Sequence, residues 1–308
     1  MNGRRQHGKQ PYNDRRPAGS SQKQQPATPK VASLEFPLPS ATAAAVKKVL
    51  SQSSCGCANP GLILQKYIGV ENIKDCTLKG ASRKDFMVDK IAGSLQQQDM
   101  KSLLPLVTAR WHEMLEGLKR AGFHVEDFTA RTRERLAVGL GTASTLETGM
   151  TMHPVYGFPY IPGSSLKGMA RACAEACAEE KMGHGRPSIN DIFGPEDVRE
   201  DKASRGRVIF FDAMPADVPQ LEVDIINCHY GDYYMNDAPP ADWLSPVPVY
   251  FLTVKRGARF HFAVASPDSV LARRAKGWLS QGLTSLGIGS KTMVGYGRFD
   301  ADPAGAQH

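Results

Sequence analysis

The chain has 308 residues, 41% of them hydrophobic, with a formal net charge of +7. That length supports one large domain or two small ones with a sizeable core, and without an apolar run of about 18 residues no transmembrane helix is expected. Residues 1–30 hold seven cations (Arg4, Arg5, Lys9, Arg15, Arg16, Lys23, Lys30) against Asp14, a net +6 that leaves +1 for the rest, so the charge describes a basic tail and not a basic domain.

Residues 1–32 are rich in Gln, Pro, Arg, Ser and Gly. Too little apolar surface is available there to offset ordering entropy, so a disordered basic tail is expected, either solubilising or weakly attracted to nucleic acid. It has no apolar core of a secretory signal, and a cytoplasmic protein is the default expectation. The six cysteines (Cys55, Cys57, Cys76, Cys173, Cys177, Cys228) include no CxxC pair and suggest no disulfide framework.

Residues 33–130 read as a helical N-terminal region. "ATAAAVKKVL" is rich in helix formers. "KDFMVDKIAGSLQQ" brings Phe86, Ile91 and Leu95 towards one face. Leu104, Val107, Trp111, Met114, Leu115 and Leu118 follow a helical period. "CGCANPG" interrupts the pattern as a turn. No chemistry is evident in this half.

From about residue 131 the period changes to that of strands, and residues 131–300 read as one domain, with 301–308 a flexible end. "RLAVGLG" (135–141) alternates Leu136, Val138 and Leu140 with small residues. "RVIFFDAM" (207–214) and "LEVDIINCHY" (221–230) are further strands. "VPVYFLTVKRGARFHFAVA" (247–265) reads as a hairpin turning at "KRGAR". Residues 269–286 form an amphipathic helix with Leu271, Ala275, Trp278, Leu279 and Leu286 inward. In order this predicts an α+β fold on the ferredoxin-like or RRM-like plan, βαββαβ with an inserted hairpin, preceded by the helical region.

The first helix of that plan begins in "FPYIPGSSLKGMAR" (158–171). Ser164 or Ser165 suits the N-cap. Leu166, Met169, Ala170, Cys173, Ala174 and Cys177 make one apolar stripe, which marks both cysteines as small core residues and not metal ligands. Lys167 and Arg171 lie off that stripe, one turn apart. Cations near a helix N-terminus oppose the macrodipole. Either they are solvated, or an anion such as a phosphate sits between them and the free amides.

"GIGSKTMVGYG" places Gly287, Gly289, Gly295 and Gly297 around Ser290, Lys291 and Thr292. Glycines let backbone amides turn towards a phosphate. The stretch is not a Walker A loop, because Ser290 separates Gly289 from Lys291, and it does not open a helix. A nucleotide-binding enzyme is therefore disfavoured. A tight helix-to-strand connection explains the glycines equally well.

Together, "GLGTASTLETGMTMHPVYGFPYIPGSSLKGMAR" (139–171) and "GIGSKTMVGYGRF" (287–299) resemble the RAMP superfamily of CRISPR effector proteins, most closely the subunit-six family of type III-B (Cmr) complexes. The resemblance implies an RRM-like fold within a multi-subunit ribonucleoprotein of antiviral defence. It implies contact with the 3′ part of the guide RNA (crRNA), help in binding target RNA, and neighbouring subunits one and four. Cutting then belongs to subunit four, so this chain binds without catalysis, cofactor or metal. The implied RNA contacts are Gly287, Gly289, Ser290, Lys291, Thr292, Gly295, Tyr296 and Gly297, with Ser164, Ser165, Lys167 and Arg171 at the helix start and Thr151 and His153 as auxiliaries. The alternative is a metal-independent endoribonuclease that processes guide RNA, with His153 as general acid or base and Lys167, Lys291 or Tyr156 assisting. Against it, a histidine before proline is an ordinary turn residue, and Glu147 is placed to pair with His153 and orient the loop.

Overall fold

The computed structural model describes residues 33–51, 59–74, 78, 80–180, 189–195, 205–229, 239 and 246–301. The expectations for the tail, for residues 302–308, and for Cys55, Cys57 and Cys76 fall outside them. Ala301, read as part of a flexible end, closes the last strand.

The N-terminal region is helical. It comprises α1 (Ser40–Ser51), α2 (Pro60–Gln65), α3 (Gly80–Phe86), a π-helical stretch (Met87–Ala92), α4 (Gly93–Leu95) and α5 (Gln98–Arg120). Asn59 caps α2 by accepting from the amides of Gly61 and Leu62. Its Nδ2 donates to the carbonyls of Pro154 (3.3 Å) and Val155 (2.9 Å) and so ties this region to the His153 loop. Phe86, Ile91 and Leu95 are buried, as the periodicity requires.

The remainder mixes strands and helices: β1 (His124–Thr132), α6 (Gly163–Glu180), α7 (Ile189–Phe193), β2 (Ile209–Phe210), β3 (Met214–Pro215), β4 (Leu221–Cys228), β5 (Val247–Val254), β6 (Arg259–Ser266), α8 (Ser269–Ser285) and β7 (Phe299–Ala301). The main sheet is antiparallel in the order β2-β6-β1-β7, and β3 also pairs with β6. β4 and β5 form a separate two-stranded sheet.

Phe260, Phe262 and Val264 point from β6 to one face, where they share a core with Leu166 and Ala170 of α6 and Leu271, Ala275 and Leu279 of α8. Phe262 is fully buried, stacked on Phe128 and edge-on to Phe299. Gln281 of α8 reaches Cys177 of α6 (3.3 Å), while Gly282 faces Met169 and Cys173. The last turns of α8 therefore pack against the middle of α6, from Met169 to Cys177. The opposite face of β6 presents His261, which stacks under Trp111 of α5 at 5.7 Å. Thus α5 lies over the face that α6 and α8 leave open.

Three expectations are corrected. The first strand is His124–Thr132, inside the stretch read as helical, while residues 135–141 are not a strand and make one bridge, Leu136 to Val254. Residues 247–265 contain two strands but no hairpin. β5 pairs with β4 and β6 with β1 and β2, so "KRGAR" is a corner between two sheets. Its Gly257 amide donates to the Thr132 carbonyl, and Thr132 N donates to Ala258 O, both 2.8 Å. Finally, α6 starts at Gly163, so Ser164 and Ser165 stand in its first turn and neither is the N-cap.

Candidate nucleic-acid interface

The start of α6 is set by packing. The Gly163 amide donates to Asp212 Oδ1 at 2.7 Å, so a carboxylate of this chain already meets the positive end of the helix. A Cβ on Gly163 would press into the Phe210 carbonyl, 3.0 Å from its carbon. The amides of Ser165 and Leu166 both turn back to Pro162 O (3.0 and 3.1 Å). Ser164 and Ser165 are exposed and Lys167 half-buried. Lys167 makes no ion pair among the described residues. Arg171 is different: its Nε donates to Glu175 (2.7 Å) and an Nη to the Gly194 carbonyl after α7 (3.3 Å). Folding therefore accounts for Arg171 and leaves Lys167 as the cation available to a ligand. Cys173 is buried and Cys177 half-buried; burial first, then Cys177, pushes the Cys173 thiol up to about 11, an inert core group at neutral pH.

The glycine-rich loop is held at its base. Ile288 N donates to Gly297 O (2.9 Å), Gly297 N to Arg135 O (2.8 Å) and Ser290 N to Ala137 O (2.7 Å). Gly287, Gly289, Lys291, Gly295 and Gly297 all hold positive φ. The tip is a short 3-10 turn, Thr292–Val294, with Met293 95% exposed. Lys291 Nζ lies 5.6 Å from the Phe251 ring and 6.0 Å from the Tyr296 ring. The tight-connection reading is realised at the base of the loop, and the tip is exposed.

Residues 135–139 are the spine of the site. Ala137 O receives the Ser290 amide and Val138 O the Thr151 amide (2.8 Å). The glycine loop and the Thr151 segment thus flank one short extended piece. Beside it, Arg135 pairs with Asp224 and lies 5.2 Å over the Tyr296 ring, and the Tyr296 hydroxyl donates to Asp224. Burial, followed by that bond, pushes the Tyr296 phenol up to about 12. Tyr296 therefore stays a neutral ring at neutral pH.

His153 does turn chemistry. Its Nδ1 accepts from the amides of Val155 and Tyr156, both at 3.2 Å, which requires the neutral ring's proton on Nε2. The ring stacks on Tyr156 at 4.5 Å. Burial, partly offset by Asp212, holds its pKa below the usual histidine value. The expected Glu147–His153 pair does not form. Glu147, at φ 70°, pairs with Arg83 of α3 instead.

Arg135, Asp212 and Asp224 were not singled out in the sequence. Arg135 belongs to the false strand, and both aspartates act across long sequence separations. Among the described residues no group of three His, Cys, Asp or Glu side chains is placed to hold a metal, and no helix is long and apolar enough to cross a membrane.

The model of the RAMP superfamily matches residues 129–300. The CRISPR system Cmr subunit Cmr6 of Pyrococcus furiosus is 34% identical over 223 residues, spanning 55% of this chain and 66% of that protein. The CRISPR system CMR subunit Cmr6 of Saccharolobus solfataricus is 26% identical over 256 residues, 82% of this chain and 83% of that one. The chain thus matches just under two thirds of the length of the Pyrococcus relative. Among solved structures, a chain of the type III-B Cmr-beta complex bound to cognate target RNA superposes with a TM-score of 0.53 at 23% identity, covering 75% of this chain and 80% of that chain, a likeness of fold.

Proposed function

The chain belongs to the RAMP superfamily, and from that premise we propose that it is a non-catalytic, RNA-binding subunit of a type III-B CRISPR effector complex. It holds the 3′ part of the guide RNA, helps to bind target RNA, and adjoins subunits one and four. The observation that carries this reading is the glycine loop, pinned at its base to residues 135–139 while its tip stands in solvent. A rigid, glycine-bordered tip beside Lys291 suits a polyanionic backbone. We read the main sheet as the ferredoxin-like βαββαβ plan. The order β2-β6-β1-β7 supports it, with β4 and β5 as the insertion.

Because α5 lies over the open sheet face through Trp111, RNA on this reading runs along the loops and not across the sheet. The nuclease alternative is weakened by His153, whose Nδ1 is committed to two backbone amides.

Single-stranded RNA should bind with steep salt dependence and stay intact in EDTA. The double substitution Lys167→Ala with Lys291→Ala should lower affinity and flatten the log–log salt slope by about 1.4, at roughly 0.7 per lost phosphate contact. An unchanged slope removes these two lysines from the interface. Affinity purification from the native cell tests the assembly: guide RNA and the other Cmr subunits should accompany the chain.

A further inference from the structure

A groove of 440 Å³ opens between α5, the His153–Tyr156 loop and the turn between β2 and β3, within the size range of small-ligand pockets, about 300–1,000 Å³. Trp111 lines it from α5, His153 and Tyr156 from the loop before α6, and Phe211 and Asp212 from the turn between β2 and β3. Four of these are flat rings, and His153 and Tyr156 already stack on each other. Asp212 is exposed. Its Oδ1 accepts the Gly163 amide, and its Oδ2 makes no hydrogen bond among the described residues. At the rim stands exposed Arg110, one Nη lying 3.4 Å from the Tyr156 hydroxyl.

Flat rings bind the face of an unstacked base. A carboxylate accepts from an exocyclic amine, as Asp and Glu do from cytosine N4. A guanidinium at the mouth suits the phosphate that follows the base, and it repels a cationic side chain that would otherwise fit an aromatic, acidic groove. The groove wall is also tied to the loop site through the backbone. Ser290 bonds to Ala137, the next residue Val138 bonds to Thr151, and His153 lies two residues beyond.

We propose that this groove takes one unstacked, amine-bearing nucleobase, cytosine, adenine or guanine, from the single strand whose phosphates the glycine loop holds. The assignment rests on the RNA-binding reading above. Uracil offers the Asp212 carboxylate only its N3–H, set between two repelling carbonyls and with no exocyclic amine, so uracil is the disfavoured base. Oligocytidylate and oligouridylate of equal length carry the same backbone charge and one-ring bases, and they differ at the edge that Asp212 reads.

The experiment is fluorescence anisotropy of the full chain with each labelled oligomer. Oligocytidylate should bind about tenfold more tightly than oligouridylate. Asp212→Asn keeps an acceptor oxygen for the Gly163 amide and adds an NH₂ donor, so it should erase or reverse that ratio. Tyr156→Leu should weaken both oligomers by about tenfold. Equal affinities in the unaltered protein overturn the assignment without recourse to any variant, as does a ratio that survives Asp212→Asn. Binding of neither oligomer sinks the RNA reading itself, a result distinct from binding both equally.

Discussion

Replacing Gly297 with alanine is expected to cost about 3 kcal/mol or more of folding stability, among the largest effects open to a single methyl group. Gly297 holds φ at +70°, where an L side chain costs about 1–2 kcal/mol. The added Cβ would also meet backbone: it falls on the Ile288 carbonyl oxygen, with the Ile288 carbon at 2.9 Å and nitrogen at 3.1 Å. A side-chain neighbour swings away cheaply, but Ile288 does not. Its amide bonds to Gly297 O, and Gly297 N bonds in turn to Arg135 O. Moving one strand of this closure breaks both hydrogen bonds and opens the loop at its base. The control is Gly295→Ala. Gly295 has φ +100° and open space where a Cβ would stand, so it should lose only the backbone term, about 1–2 kcal/mol. Urea unfolding of the two variants makes the comparison, and equal losses would mean that the loop is not closed as described. RNA binding should follow the same order. Gly297→Ala disorders the site, whereas Gly295→Ala leaves its base intact.

The helices of the N-terminal region were legible because their apolar residues recur at the helical period, as Leu104, Val107 and Leu115 do in α5. The glycine loop was legible as a loop and as a binding candidate, since each glycine sits where the chain turns. The strands at 221–228, 247–254 and 259–266 were legible too; what failed was the first strand of the domain. β1, the strand between β6 and β7, reads HVEDFTART, polar along most of its length. α5 and α8 both pack near it, and Lys276 of α8 pairs with Glu126, so its charges are accommodated by partners remote in sequence. Residues 135–141 alternate as a strand should. Leu136 and Ala137 are buried, but the backbone hydrogen bonds of residues 135–138 go to the glycine loop, to Thr151 and to one position of β5, three partners that no local period encodes. The same limit hid the cap of α6. Two serines stand at its start, yet the carboxylate that meets it comes from Asp212, more than forty residues on. Partners also divided the two basic residues of that helix. Lys167 and Arg171 look equivalent one turn apart, but Arg171 has Glu175 at i+4, a pair the helical spacing offers, and the fold adds the Gly194 carbonyl.

His153→Ala should destabilise the protein by about 2 kcal/mol, whereas His153→Asn should cost about half as much. The alanine loses two acceptor contacts, worth about 1 kcal/mol in net terms where water replaces them, and a ring stack on Tyr156 worth about 1 kcal/mol. Asparagine returns an acceptor oxygen at nearly the Nδ1 position, as asparagine side chains do when they bond the backbone two residues on. It forfeits only the stack. The pair also separates turn chemistry from acid–base chemistry. A catalytic histidine would leave both variants inactive, while a turn residue makes Asn behave like His and unlike Ala in RNA binding and stability. The pH dependence gives an independent reading. Burial lowers the folded pKa of His153 below the unfolded value, with Asp212 opposing, and burial lowers that of His261 as well. For a histidine shifted down, the unfolded chain takes up protons first. The stability of the neutral ring is fully present above the unfolded pKa, near 6.5, and is lost as pH falls through that value towards the folded pKa. The unaltered protein should therefore lose stability below about pH 6.5 more steeply than His153→Asn, which retains only the His261 contribution of the two. Denaturant midpoints of both proteins across that range decide it: parallel profiles would show that the His153 ring is as well solvated in the folded chain as in the unfolded one, contrary to its place between Tyr156 and the turn it closes.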